Sequence, residues 1–114
     1  MIKKYQVEMT TLAQQQILQI AQYIINEYQA PEIAYGIVEK LEHELNKLTQ
    51  LPERVVLTDL EPWCSKGIRK YIMGNYIAYF KIFEEEASIR VIAVVPEKMD
   101  QSEQLTQAIL YNTL

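Results

Sequence analysis

The chain has 114 residues, 49% of them apolar, with 3 glycines and 4 prolines. That make-up fits one folded domain spanning 1–114 and excludes a disordered or collagen-like polymer. The net charge of −4 argues against a general nucleic-acid binder, which carries a basic face.

The one cysteine, Cys64, cannot form an internal disulfide, so nothing points to secretion. No stretch reaches the roughly 20 apolar residues of a membrane span, and Met1–Gln6 holds no signal-like apolar run. The expected setting is the cytoplasm, away from membranes.

Tyr5, Val7 and Met9 alternate with Gln6 and Glu8, the period of a half-buried strand. Thr10 and Thr11 supply hydroxyls that suit a helix start. From Leu12 to Tyr28 the step changes to three and four. Ala13, Ile17, Ile20, Ala21, Ile24 and Tyr28 make an apolar stripe, with glutamines opposite. Pro31 suits the first turn of a second helix, whose stripe is Ala34, Ile37, Val38, Leu41, Leu45 and Leu48. So short a connection implies an antiparallel helical hairpin, which Leu51-Pro52 ends.

Residues 54–57 read as a short strand and 59–65 as a loop. Three strands follow, near 67–73, 76–83 and 88–95, with turns at Gly74-Asn75 and Glu84–Glu86. Gln101–Tyr111 reads as a short helix with Leu105, Ala108 and Ile109 on one side. The fold class is α+β: an N-terminal strand, a helical hairpin, an antiparallel meander of three or more strands, and a terminal helix.

Charge is uneven along this layout. Arg54 to Phe83 carries five basic residues against two acidic ones, and Glu84 to Leu114 two against six. Such asymmetry is what a binding face, or chance in a short chain, produces.

The element order and several residues resemble the RelE/ParE superfamily of type II toxins. The first helix begins Thr10-Thr11-Leu12-Ala13 and runs to Ile20-Ala21-Gln22-Tyr23-Ile24. Pro31 and Ala34 open the second helix, and Leu48 to Pro52 is similar to the family's helix exit. Gly67-Ile68-Arg69-Lys70, Gly74-Asn75-Tyr76-Ile77 and Ile89–Val95 followed by Asp100 look like its Gly-x-Arg strand, Asn-Tyr hairpin and last strand. The resemblance covers residues 5 to about 100 of the chain and rests on the ordered set, not on one motif.

That resemblance implies a toxin neutralised by a cognate antitoxin. It acts either as a RelE-like endoribonuclease on ribosome-bound messenger RNA or as a ParE-like inhibitor of DNA gyrase. No metal and no cofactor are expected. Metal-free RNA cleavage needs a base, an acid and cations, and the resemblance implies that they gather on the exposed sheet face. The candidates are Arg54, Lys66, Arg69, Tyr71 and Arg90. Strand geometry puts Arg69 and Tyr71 on one side and Lys70 on the other, with Ile68 and Ile72.

Each candidate also has a structural reading. Arg69 and Arg90 can pair with a carboxylate or hold a loop. Lys70 and Lys81 can be solvated strand charges, and the tyrosines can be packing residues. His43 reads as a surface residue, Trp63 as a loop anchor, and Cys64 lacks a histidine that would make it a nucleophile.

Two departures weaken the nuclease reading. After the last strand comes Pro96-Glu97-Lys98-Met99-Asp100, with Lys98 alone basic, and Ile77 stands where the family often has arginine. A ParE-like, non-hydrolytic toxin is therefore favoured, with the nuclease and an inactive antitoxin-binding member as alternatives. Antitoxin-docking candidates are Leu18 and Ile25 on the hairpin and Leu105 and Ile109 on the terminal helix. Leu105 and Ile109 can equally close the core. A homodimer or a toxin–antitoxin hetero-oligomer is the expected assembly.

Overall fold

The computed structural model describes residues 3–111, apart from the side chains of 109–111. Strand β1 (Gln6–Met9) leads into α1 (Thr11–Tyr28) and α2 (Pro31–Asn46). Strands β2 (Ile68–Met73), β3 (Tyr76–Phe83) and β4 (Ser88–Pro96) form the meander, and α3 (Gln101–Tyr111) closes the chain. The sheet order is β1-β4-β3-β2. The meander is antiparallel and β1 runs parallel to β4, since the hairpin carries the chain back across the sheet.

Local chemistry explains the boundaries. Thr10 caps α1: its side chain accepts a hydrogen bond from the Ala13 N–H at 3.1 Å, satisfying a donor that the first helical turn leaves free. Pro31 occupies the first turn of α2, where a missing N–H costs nothing. Gly74, at φ +65°, makes the tight turn between β2 and β3.

The expected helical stripes point inward. Ala13, Ile17, Ile20 and Ile24 of α1 and Ala34, Leu41 and Leu45 of α2 are buried. They pack on Met73, Ala78, Phe80, Ile89, Val91 and Val94 of the sheet. Tyr28 departs from the stripe: at the last residue of α1 it is exposed. A second core lies on the other sheet face, where Leu105 and Ala108 of α3 and Trp63 cover Ile68, Ile77, Tyr79, Ile92 and Val95. The sheet is thus buried on both sides over part of its area. Trp63 anchors the 59–67 loop there.

One detail differs from expectation, and the pairing adds a second. Residues 54–57 do not form a strand. Leu51 adopts a left-handed conformation, Pro52–Arg54 form a 3-10 turn, and Leu57 makes an isolated bridge to Arg69. The Lys70 N–H to Val56 carbonyl and Thr58 N–H to Ile68 carbonyl bonds complete this partial cover of the β2 edge. A register shift at Tyr79/Phe80 puts Ala93 opposite Tyr79 and Val91 opposite Phe80, so Ile92 is an extra residue. The Val94 N–H donates to the Gln16 side chain of α1 at 2.8 Å, which ties the hairpin to β4 just past that shift.

Candidate functional site

Strand alternation divides β2 between the two sheet faces. Arg69, Tyr71 and Met73 pair with Phe80, Ala78 and Tyr76 on the hairpin side. Ile68, Lys70 and Ile72 pair with Lys81, Tyr79 and Ile77 on the other side. Arg69 and Tyr71 therefore share a side, but it is the side covered by the helices and not the open face.

There both are engaged. The Arg69 guanidinium donates through Nη1 to the Val55 carbonyl at 2.5 Å and the Glu53 carbonyl at 3.1 Å, holding the 3-10 turn against β2. The Tyr71 hydroxyl donates to a Glu44 carboxylate oxygen of α2 at 3.0 Å. Burial first, and then the hydrogen bond to Glu44 and its charge, push the Tyr71 hydroxyl above its ordinary value. Glu44 is held low by hydrogen bonds from Lys47 and then Tyr71. A phenol raised in this way does not serve as a base near neutral pH.

Of the remaining cations, Arg54 reaches that pair and Lys66 and Arg90 do not. Arg54 is exposed, donates to the Gln50 carbonyl at 3.4 Å, and lies near the Tyr71 hydroxyl. Lys66 is exposed in the loop before β2. Arg90 stands on the face away from the hairpin, with Glu8 at 4.0 Å and its guanidinium 4.6 Å from the Phe83 ring centre. Sequence parity placed none of Glu8, Lys81 and Phe83 beside Arg90, since strand register is invisible without the pairing. His43 is exposed on α2. Among the described residues no group of three or more His, Cys, Asp or Glu is placed to hold a metal ion.

The expected docking residues separate into exposed and buried. Leu18 is 68% exposed, and Ile25 is half-buried against the main core. Leu105 is fully buried under the second core, so it closes the fold and offers no surface while α3 stays in place. The Ile109 side chain lies outside the described residues. Beside Leu18 runs a groove of about 450 Å³ between β1 and the hairpin, lined by Val7, Met9, Ile17, Leu18, Val38 and Leu45.

Helix α3 is fixed from its start. The Tyr79 hydroxyl donates to Gln101 Oε1 at 2.8 Å, while Gln101 Nε2 donates to the Pro96, Glu97 and Met99 carbonyls. Burial, reinforced by Asp59, pushes the Tyr79 hydroxyl up to about 12. Among the described residues no helix is long and apolar enough to cross a membrane.

Residues 7–101 match the family described as ParE toxin of type II toxin–antitoxin system, parDE. The chain belongs to the ParE toxin family. Among curated proteins no sequence match to this ParE-family chain is found.

Solved structures share its fold. The chromosomal ParDE TA system from P. aeruginosa superposes with a TM-score of 0.69 at 16% identity, covering 82% of this chain and 97% of that one. The toxin–antitoxin complex RelBE2 from Mycobacterium tuberculosis gives 0.58 at 19%, covering 82% and 91%. A mutant of E. coli toxin RelE in the free state gives 0.62 at 15%, covering 95% and 97%. At these identities the likeness is one of fold, which ParE and RelE toxins have in common.

Proposed function

We propose that this ParE-family toxin stops growth by inhibiting DNA gyrase in the cytoplasm, without cutting RNA, and that a cognate antitoxin neutralises it. The observation that carries the reading is the engagement of Arg69 and Tyr71. The two residues best placed by sequence for phosphate chemistry are turned onto the hairpin side and bonded to backbone carbonyls and to Glu44. On the opposite face, the row Ile72, Ile77 and Val95 is apolar and supplies neither a cation nor a proton donor for phosphate chemistry. The antitoxin is expected over Leu18 and Ile25, with the groove beside them as apolar ground for an amphipathic segment.

Induction of the chain alone, with plasmid supercoiling and message integrity measured together, tests the reading. The expected result is lost supercoiling activity and DNA breaks with intact messages. Messages cut at ribosomes would instead assign the RelE-like activity. Unchanged growth would leave an inactive antitoxin-binding member.

A further inference from the structure

The sheet face turned away from the hairpin carries a group of side chains that the toxin reading leaves unused. The register sets Lys81 directly opposite Arg90, and β1 sets Glu8 on the far side of Arg90, so one row across three strands reads Lys81, Arg90, Glu8. Like charges opposite each other across a strand pair destabilise a sheet. Glu8 relieves this only in part: its carboxylate is 4.0 Å from Arg90 Nε and its side chain is 48% exposed.

Phe83 draws both cations together. Lys81 Nζ lies 5.8 Å and Arg90 Cζ 4.6 Å from its ring centre. Such contacts contribute about 0.5–1 kcal/mol at exposed sites, enough to hold two cationic heads in register but not to neutralise them. Lys70, opposite Tyr79, continues the band diagonally on the same face. Ser88, opposite Phe83, is 2% exposed, and its hydroxyl has no hydrogen-bond partner among the described residues.

We propose that Lys81, Arg90 and Phe83 form a docking site for a carboxylate-bearing segment of a protein partner, which displaces Glu8 from Arg90. Charge decides the class of partner. Residues 11–46, the hairpin, hold five acidic residues (Glu27, Glu32, Glu39, Glu42, Glu44) and one lysine, and Glu84–Glu86 follow Phe83 directly. A polyanion draws its affinity from many neutralised phosphates, and three cations set in so acidic a chain supply few. One or two carboxylates need only the guanidinium fork and one ammonium. Glu8 already occupies the position such a carboxylate would take, at the long end of ion-pair distance. The site goes beyond the growth-arrest reading and stands or falls separately from it.

Titration of the full chain at low salt tests the site. The probe is a blocked ten-residue peptide of alanine and serine with two adjacent central glutamates, followed by NMR at the Arg90 Nε–H and the Lys81 and Arg90 amides. Ten-nucleotide oligothymidylate is the competing class. The peptide is expected to shift these signals, and Lys81→Gln or Arg90→Gln to weaken it roughly two- to fivefold, the range of an exposed ion pair. Glu8→Gln is expected to strengthen it about twofold, because it removes the internal competitor. That sign is one a purely structural Arg90–Glu8 pair does not produce. Peptide affinity unchanged by Arg90→Gln, or lowered by Glu8→Gln, overturns the proposal, as does oligothymidylate binding these residues more tightly than the peptide. Melting curves of the half-exposed variants check that each stays folded.

Discussion

Replacing Arg69 by alanine separates a structural arginine from a catalytic one. Its Nη1 donates to two backbone carbonyls, of which the Val55 bond is part-buried and the Glu53 bond exposed. A hydrogen bond from a charged donor contributes roughly 1.5–3 kcal/mol when enclosed, and an exposed one far less. Truncation also leaves the Val55 carbonyl without this donor, beside a Val55 side chain that belongs to the core.

The expected loss is about 2–3 kcal/mol. At about 4 °C per kcal/mol for a domain of this size, that is a drop of roughly 8–12 °C in Tm. Urea unfolding followed by far-UV circular dichroism measures it. Arg69→Lys should recover part of the loss, since one ammonium reaches one carbonyl but lacks the fork. Growth arrest should then follow the folded fraction and return at lower temperature. If Arg69→Ala instead melts within about 0.5 kcal/mol of the parent while growth arrest disappears, the structural assignment is wrong. Arg69 would then belong to the toxin's chemistry.

Leu105→Ala, which empties a fully buried site under α3, is expected to cost about 2–4 kcal/mol in chemical denaturation; a change near zero would mean that α3 is not docked in solution. Leu18→Glu should leave stability within about 0.5 kcal/mol, because the side chain is largely exposed, while weakening capture of a cognate antitoxin, measured by calorimetry. The alkaline limit follows from Tyr5 and Tyr79, both pushed up to about 12, Tyr5 chiefly by its hydrogen bond to Glu84 and Tyr79 chiefly by burial. Their folded values lie above the ordinary value of 10.0, so their contribution is complete below pH 10 and is lost as pH rises towards 12. Ultraviolet titration should show these two phenols ionising late, and stability falling across that window.

Most of the layer order was legible because it rests on period. The steps from Ala13 to Ile24 and from Ala34 to Leu45 bury one face of each helix whatever they pack on. The alternation in 68–73 correctly put Arg69 with Tyr71 and Lys70 with Ile68. Residues 54–57 misled because Val55-Val56-Leu57 has strand composition. The left-handed Leu51 and the Pro52–Arg54 turn instead bring the segment to β2 through Arg69 and single backbone bonds. Leu105 was ambiguous because a short helix with three apolar residues can face a core or a partner. Ile68, Ile77 and Val95 on the far face decide it by leaving a surface that must be covered.

The candidate site was less legible, because chemistry depends on which face of the sheet a strand's odd or even residues occupy. Both sets in β2 mix apolar and polar side chains, so the sequence of β2 alone does not say which meets the hairpin. Pairing settles it: Arg69 opposite Phe80 lies over the helical core, while Ile68 opposite Lys81 lies on the far face. A one-residue slip of β3 would exchange the two sets and aim Arg69 and Tyr71 at the open face. The same register sets Lys81 against Arg90 with Phe83 beside them, a grouping no single strand contains. Strand parity relative to the hairpin is therefore what puts Arg69 and Tyr71 over the helical core and not on the far face. Arg69 is the residue whose removal reads that parity most directly.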